Sequence, residues 1–161
     1  MGSKNFKDAP IHDVVVKPVK KWNDKRGWLA ETFRHDELDK QFHPAMSYIS
    51  VSLPGVQRGP HEHVDQADLF VFLGPGMFRV FLWDNREDSP THWNRMVFEG
   101  GDTNPISVLI PAGVVHAYRN ISATSSTVLN FPNRLFMGEN KKEPIDEIRH
   151  EDDPDTVYKT E

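Results

Sequence analysis

The sequence predicts an all-β sandwich or barrel. Short apolar runs rich in β-branched and aromatic residues recur along the chain, Gly, Pro, Asn and Asp break them at fairly regular intervals, and helical patterning is nearly absent. In chain order, strands are expected at "DVVVKP" (13–18), "GWLAETF" (27–33), "MSYISVSL" (46–53) and "ADLFVFL" (67–73). Further strands follow at "MFRVFLWD" (77–84), "NRMVFEG" (94–100), "ISVLIP" (106–111), "VVHAYRNI" (114–121) and "STVLNFP" (126–132). "LGPGM" (73–77) joins two of them as a tight turn. "FRVFLWD" is apolar on both alternations apart from Arg79, which suits a strand covered on both faces. The one helical stretch is short, "HDELDKQF" (35–42). After Asn140 the chain is charged and carries two prolines, so it is expected to form an irregular, lightly docked tail. No repeat, linker or low-complexity block divides the sequence, and residues 1–161 read as one domain.

Composition narrows the function. A chain of 161 residues can bury a core without staples, and 37% hydrophobic with 11% aromatic residues is ordinary for a globular protein. The absence of cysteine excludes disulfides, cysteine zinc sites and a thiol nucleophile. No long apolar run and no apolar leader segment are present, so a soluble, cytoplasmic protein without a membrane partner is expected. A net charge of -5 argues against nucleic acid as partner. It leaves room for a small anion held by a few converging arginines.

Two histidine segments carry the chemistry. In "GVQRGPHEHVDQADLFVFLG" (55–74), His61 and His63 share a strand face while Glu62 points away. With 8 His in 161 residues, about 0.4 such pairs arise by chance, so the pair alone decides nothing. The second segment, "PAGVVHAYRN" (111–120), reads Pro-x-Gly-x-x-His-x-x-x-Asn, a spacing expected by chance on the order of 0.002 times. Pro111 and Gly113 build the bend that opens a strand, on which His116 and Tyr118 face one way.

Together these motifs resemble those of cupins. The resemblance implies a double-stranded β-helix (jelly roll) with His61, His63 and His116 converging at the barrel mouth. Cupin metal sites add a carboxylate shortly after the second histidine, and Asp68 stands near that place. The resemblance thus implies His61, His63, His116 and Asp68 as ligands of one divalent metal (Fe, Mn, Ni or Zn), with no organic cofactor. The other use of the same histidines is hydrogen bonding to a substrate without metal.

A narrower resemblance spans nearly the whole chain. "DKRGWLAETF" (24–33), "GVQRGPH" (55–61), "WDNREDSPT" (83–91), "LIPAGVVHAYRNIS" (109–122) and "EIRHEDDP" (147–154) occur in the order found in the dTDP-4-dehydrorhamnose 3,5-epimerase family. The histidine pair after Arg-Gly is also similar to that of the related sugar ketoisomerases. The resemblance implies proton transfer beside the ketone of a nucleotide-linked 4-keto sugar, in deoxysugar biosynthesis, by a homodimer. His61 then stands at the position of the base, and Arg26, Glu31 and Arg58 at substrate contacts, the arginines on the diphosphate. Four positions depart from the family pattern. Leu135 and Phe136 stand where the family carries its acidic tyrosine, Asp68 near its lysine, and His63 in place of a glutamine. An aspartate that orients the base is expected to be missing. Tyr48 and Tyr118 are the hydroxyls that can replace the acid, and His63, or a metal on it, can replace the lysine. Tyr118 otherwise serves as a substrate contact. Two other readings compete with this one: a metal-dependent cupin enzyme on another small polar substrate, and a non-catalytic sugar-binding cupin.

Overall fold

Strands form where β-branched and aromatic side chains alternate or cluster, and the computed structural model describes them over residues 5–161. One sheet has six strands in the order β1 (Lys7–Asp8), β9 (Asn94–Gly101), β8 (Met77–Asp84), β11 (Val114–Asn120), β6 (Gln57–Glu62) and β13 (Ile148–Arg149). The facing sheet has five: β2 (Val15–Pro18), β10 (Ile106–Ile110), β7 (Asp68–Phe72), β12 (Ser126–Asn130) and β5 (Tyr48–Ser52). A separate hairpin pairs β3 (Trp22–Asp24) with β4 (Gly27–Leu29). The expected jelly-roll sandwich is therefore present.

Phe70 and Phe72 of β7 meet Phe78, Val80 and Leu82 of β8 between the sheets, with Val114 and Tyr118 of β11 closing the layer. Side chains alternate along a strand, so β8 sends Phe81 and Trp83 outward, where Tyr158 and Phe6 cover them. That explains why this strand reads as apolar on both alternations. Burying such a set stabilises by roughly 1.5–3 kcal/mol per large side chain, which makes the sandwich a rigid mount for its open end.

Within the first sheet, His61 lies directly opposite His116, whereas Tyr118 pairs with Arg58. Two steps on β11 thus match three on β6, a bulge. It turns Arg58 and His61, an odd number of residues apart, toward the same interior. Gly59 makes this possible: its φ is +78°, and a Cβ there would collide with the His116 carbonyl oxygen.

Several expectations are corrected. The stretch 35–42 is not one helix but two single 3-10 turns, His35–Glu37 and Lys40–Phe42. Leu38 between them is extended, and the His43 ring donates from Nε2 to the His35 and Leu38 carbonyls, each at 3.1 Å. Those carbonyls are then satisfied by a side chain instead of a following helical turn. In 27–33 the strand stops at Leu29.

The charged tail is docked, not loose. Its β13 adds to the edge of β6, with Ile148 opposite Glu62 and Arg149 opposite His61. His150 meets the buried Glu62 carboxylate at 2.8 Å, and Tyr158 is buried against Trp83. Among the described residues no helix is long and apolar enough to cross a membrane.

Candidate active site

A cavity of about 990 Å³ opens between the sheets at the end where β6 and β11 carry their histidines. His61 (β6) and His116 (β11) pack edge to face, ring centroids 4.5 Å apart, and His63 follows directly after β6. Beneath them Asp68, the first residue of β7, is almost completely enclosed. Its Oδ2 lies 3.1 Å from His63 Nε2 and 3.4 Å from His116 Nε2. Its Oδ1 accepts from Gln66 Nε2 and from Asn130 Nδ2, both at 2.9 Å. Asn130 also donates to the Tyr48 hydroxyl at 2.8 Å, which ties the far wall of the cavity to the same carboxylate.

The tail supplies the remaining partners. The Asp146 main-chain carbonyl accepts from His63 Nδ1. Glu147 and Glu151 place carboxylate oxygens 3.6 and 3.7 Å from His61 Nδ1. Carboxylates beside the expected base are therefore present, in the tail segment 147–154 that carries part of the family resemblance.

The three imidazoles differ in charge for physical reasons. Burial pushes His61 down to about 4, helped by the positive charge on His63, so it is neutral near pH 7. Burial likewise pushes His116 down to about 3, and its Nδ1 donates to the Val114 carbonyl at 3.1 Å. Burial also works against charge on His63. There the hydrogen bond and charge of Asp68, with the Asp146 carbonyl, win and raise it to about 9. Asp68 pays for its burial with these contacts and stays ionised, held down to about 2. Both nitrogens of His63 face acceptors, which is the arrangement that keeps an imidazolium doubly protonated.

The nitrogens of His61, His63 and His116 lie within 4.8 Å of one another, close enough to hold a metal ion. The partners they have suit a proton better. His63 Nδ1 meets the Asp146 carbonyl, and its Nε2 lies 3.1 Å from Asp68 Oδ2 and 3.3 Å from the Gln66 amide nitrogen. Asp68, expected as a metal ligand, lies close enough to His63 and His116 to be their ion-pair partner.

The other expected site residues divide. Arg58 lines the cavity, its guanidinium 3.3 Å from Ser52 Oγ and 3.0 Å from the Val51 carbonyl. Tyr48, itself 43% exposed, lines it with a part-buried hydroxyl, and desolvation raises the pKa of that hydroxyl. Tyr118 is a core residue among Phe70, Phe72 and Phe78, with only its hydroxyl at the wall, 3.2 Å from Ser50 Oγ. Leu135 and Phe136 line the mouth and bring no hydroxyl. Arg26 and Glu31 do not line this cavity: Arg26 sits exposed in the β3–β4 turn, 2.5 Å from Asp24, and Glu31 faces Arg34 at 3.5 Å. Asp146, Glu147, Glu151, Arg149 and Gln66 also line the cavity; Glu147, Arg149 and Glu151 fall in the segment 147–154 that carries the family resemblance, although the sequence assigned them no role.

The family model for dTDP-4-dehydrorhamnose 3,5-epimerase matches residues 8–145. A spore coat polysaccharide biosynthesis protein, SpsL of Bacillus subtilis, is 39% identical over 147 residues, covering 91% of this chain and 93% of its own. A probable low-salt glycan biosynthesis epimerase, Agl13 of Haloferax volcanii, is 38% identical over 127 residues, covering 78% and 81%. Among solved structures, a dTDP sugar isomerase from Desulfovibrio desulfuricans superposes with a TM-score of 0.74 at 21% identity, covering 86% of this chain and 84% of that one. ChmJ, a 3'-monoepimerase from Streptomyces bikiniensis solved with dTDP-quinovose, gives 0.75 at 21%, covering 89% and 72%.

Proposed function

The chain belongs to the dTDP-4-dehydrorhamnose 3,5-epimerase family, and from that premise we propose that it epimerises a nucleotide-linked 4-keto sugar through an enolate. The observation that carries the reading is the different setting of two neighbouring imidazoles in the cavity wall: His61 has Nδ1 beside Glu147 and Glu151 and is kept neutral by burial, whereas His63 sits between the Asp146 carbonyl and Asp68, which favour its charge. Titratable neighbours pushed apart in this way mark a base and an electrophile. The ketone acidifies the adjacent C–H bond, and His61 takes that proton on the nitrogen turned away from Glu147 and Glu151. The two carboxylates then stabilise the imidazolium that forms. His63 presents positive charge at the cavity wall with its counter-ion buried behind it, where charge develops on the enolate oxygen. Tyr48 returns a proton from the other wall. Its oxygen accepts from Asn130, which leaves the O–H free, and its raised pKa keeps the proton in place until it is needed. No organic cofactor enters this scheme.

The experiment is solvent deuterium incorporation beside the ketone of a dTDP-4-keto-6-deoxy sugar. His61→Asn is expected to slow incorporation by about 10²–10⁴-fold while nucleotide-sugar binding persists. Tyr48→Phe is expected to keep incorporation and lose inversion. Incorporation at the parental rate in His61→Asn would sink the base assignment, and a migrated carbonyl in the product would mean keto-isomerisation. If purified protein carries a stoichiometric metal that His63→Gln removes, a Lewis acid replaces the imidazolium in this role.

The homodimer belongs to the same proposal. On edge strand β5, Ile49 and Val51 face outward and exposed, as does Leu53 just beyond it, and the β3–β4 hairpin exposes Trp22, Trp28 and Leu29. An apolar edge of this kind calls for a covering partner. A second copy is the partner that would also bring Arg26 and Glu31 to a cavity, which they do not reach within one chain.

A further inference from the structure

Glu62 lies between His61 and His63, and alternation along β6 sends its side chain to the opposite, outer face of the sheet. It is buried there, and the proposed proton transfers do not involve it. Its Oε1 accepts from Asn85 Nδ2 and from His150 Nε2, both at 2.8 Å. The His150 ring also packs on Tyr158, centroids 4.6 Å apart. A buried carboxylate costs more than apolar packing of the same volume, so what this one adds is a fixed geometry. That geometry bears on the cavity because β13 is short. It pairs with β6 at two positions, Ile148 opposite Glu62 and Arg149 opposite His61. The side chains of β13 do little to pin this register: Ile148 is 45% exposed, and Arg149 pairs with Glu147 of the same segment at 3.2 Å. Alternation puts residues 147, 149 and 151 on the cavity and turns 148 and 150 away from it. A slip of one residue would exchange the two sets and take both carboxylates from His61.

We infer that His150 is a positioning residue of the reaction: by bonding Glu62 on the outer face it locks the register of β13 and so holds Glu147 and Glu151 beside His61. The inference rests on the reading of His61 as the base. Asp146 fixes where the segment enters the site, through the N–H groups of residues 64–66, and His150 fixes where it leaves. Glu151 depends most on the second anchor, because it is the next residue in the chain and its carboxylate stands 3.7 Å from His61 Nδ1. His150 touches no reacting atom, since its Nε2 is engaged by Glu62 behind the cavity wall. Arg58 is held separately, by Ser52 and the Val51 carbonyl of β5. The effect of losing the lock is therefore expected in kcat, with KM little changed.

The test compares His150→Phe, which keeps a ring against Tyr158 but loses the donor, with His150→Gln, whose side-chain amide can still donate to Glu62. Two quantities are read: amide hydrogen exchange across the tail by NMR without substrate, and kcat and KM for deuterium incorporation beside the ketone. In His150→Phe, protection across β13 and the turn after it is expected to fall toward free-chain values while β8 and β11 keep theirs. In the same variant kcat is expected to drop by up to about 10²-fold, the scale for an ångström-sized misplacement of a catalytic group. His150→Gln should recover most of both. His150→Leu also removes the donor and gives the same reading should the phenylalanine variant not fold. Parental tail exchange in the variants without a donor would overturn the register lock. Lost protection with a parental kcat would overturn the positioning role, as would a glutamine variant no better than phenylalanine. Because the exchange measurement needs no substrate, a parent that incorporates no deuterium would sink the epimerase reading and still leave the register lock to be decided by exchange.

Discussion

Replacing Asp68 by Asn tests the charge on His63 most directly, because Asp68 is the strongest favourable contact of that ring. With the carboxylate, His63 titrates at about 9. Without it, burial opposes charge on the ring while Asp146 still favours it, and the value falls toward the ordinary histidine value near 6.5. At pH 8 the protonated fraction then drops from about 90% to about 3%, roughly a 30-fold loss of the competent form. At pH 6 the same shift changes that fraction by less than about 1.5-fold. His61 stays neutral over this range, so it does not mask the effect. The expected signature is a defect in kcat for deuterium incorporation that grows from pH 6 to pH 8. Stability carries the same sign: a folded pKa above the unfolded one contributes fully below about pH 6.5 and is lost as pH rises through about 9. The pair is worth about 3 kcal/mol on this reckoning, at 1.36 kcal/mol per unit. A defect of equal size at pH 6 and pH 8, or none at either, would refute the imidazolium assignment.

Two other outcomes follow from the same geometry. Arg58→Ala should weaken nucleotide-sugar affinity by about 1.5–3 kcal/mol, the range for hydrogen bonds to charged groups, and unchanged affinity by calorimetry would remove Arg58 from the diphosphate. The exposed apolar strand β5 and hairpin predict a dimeric mass at micromolar concentration by light scattering, which a Val51→Lys substitution on the edge should shift toward monomer; a monomeric parent would count against the dimer.

Much of the sandwich was legible because its strands obey local rules. Val, Ile and Phe clusters lie between turn residues, and Phe81 with Trp83 showed in advance that β8 would be covered on both sides. The central site was legible for the same reason. His61 and His116 sit in motifs whose spacing sets their faces, and the structure pairs them across β6 and β11. Leu38 and Phe42, four apart, mimicked a helix face, but the carbonyls of His35 and Leu38 are bound by His43, a contact no periodicity reports. Asp146, Glu147 and Glu151 stayed hidden because a charged run with two prolines looks solvated. Their roles depend on pairing of β13 with β6, a long-range choice that no local pattern encodes.

That pairing has a consequence for the order in which the molecule becomes competent. The contacts that give His63 its carbonyl and Glu62 its histidine span 83 and 88 residues of chain. Both sheets draw nearly all their strands from residues before 131, so the barrel and its three imidazoles can assemble while the tail is still unattached. Until β13 docks, His63 lacks one acceptor and His61 lacks its carboxylates. The charge pattern around the three imidazoles is therefore complete only when the tail is docked.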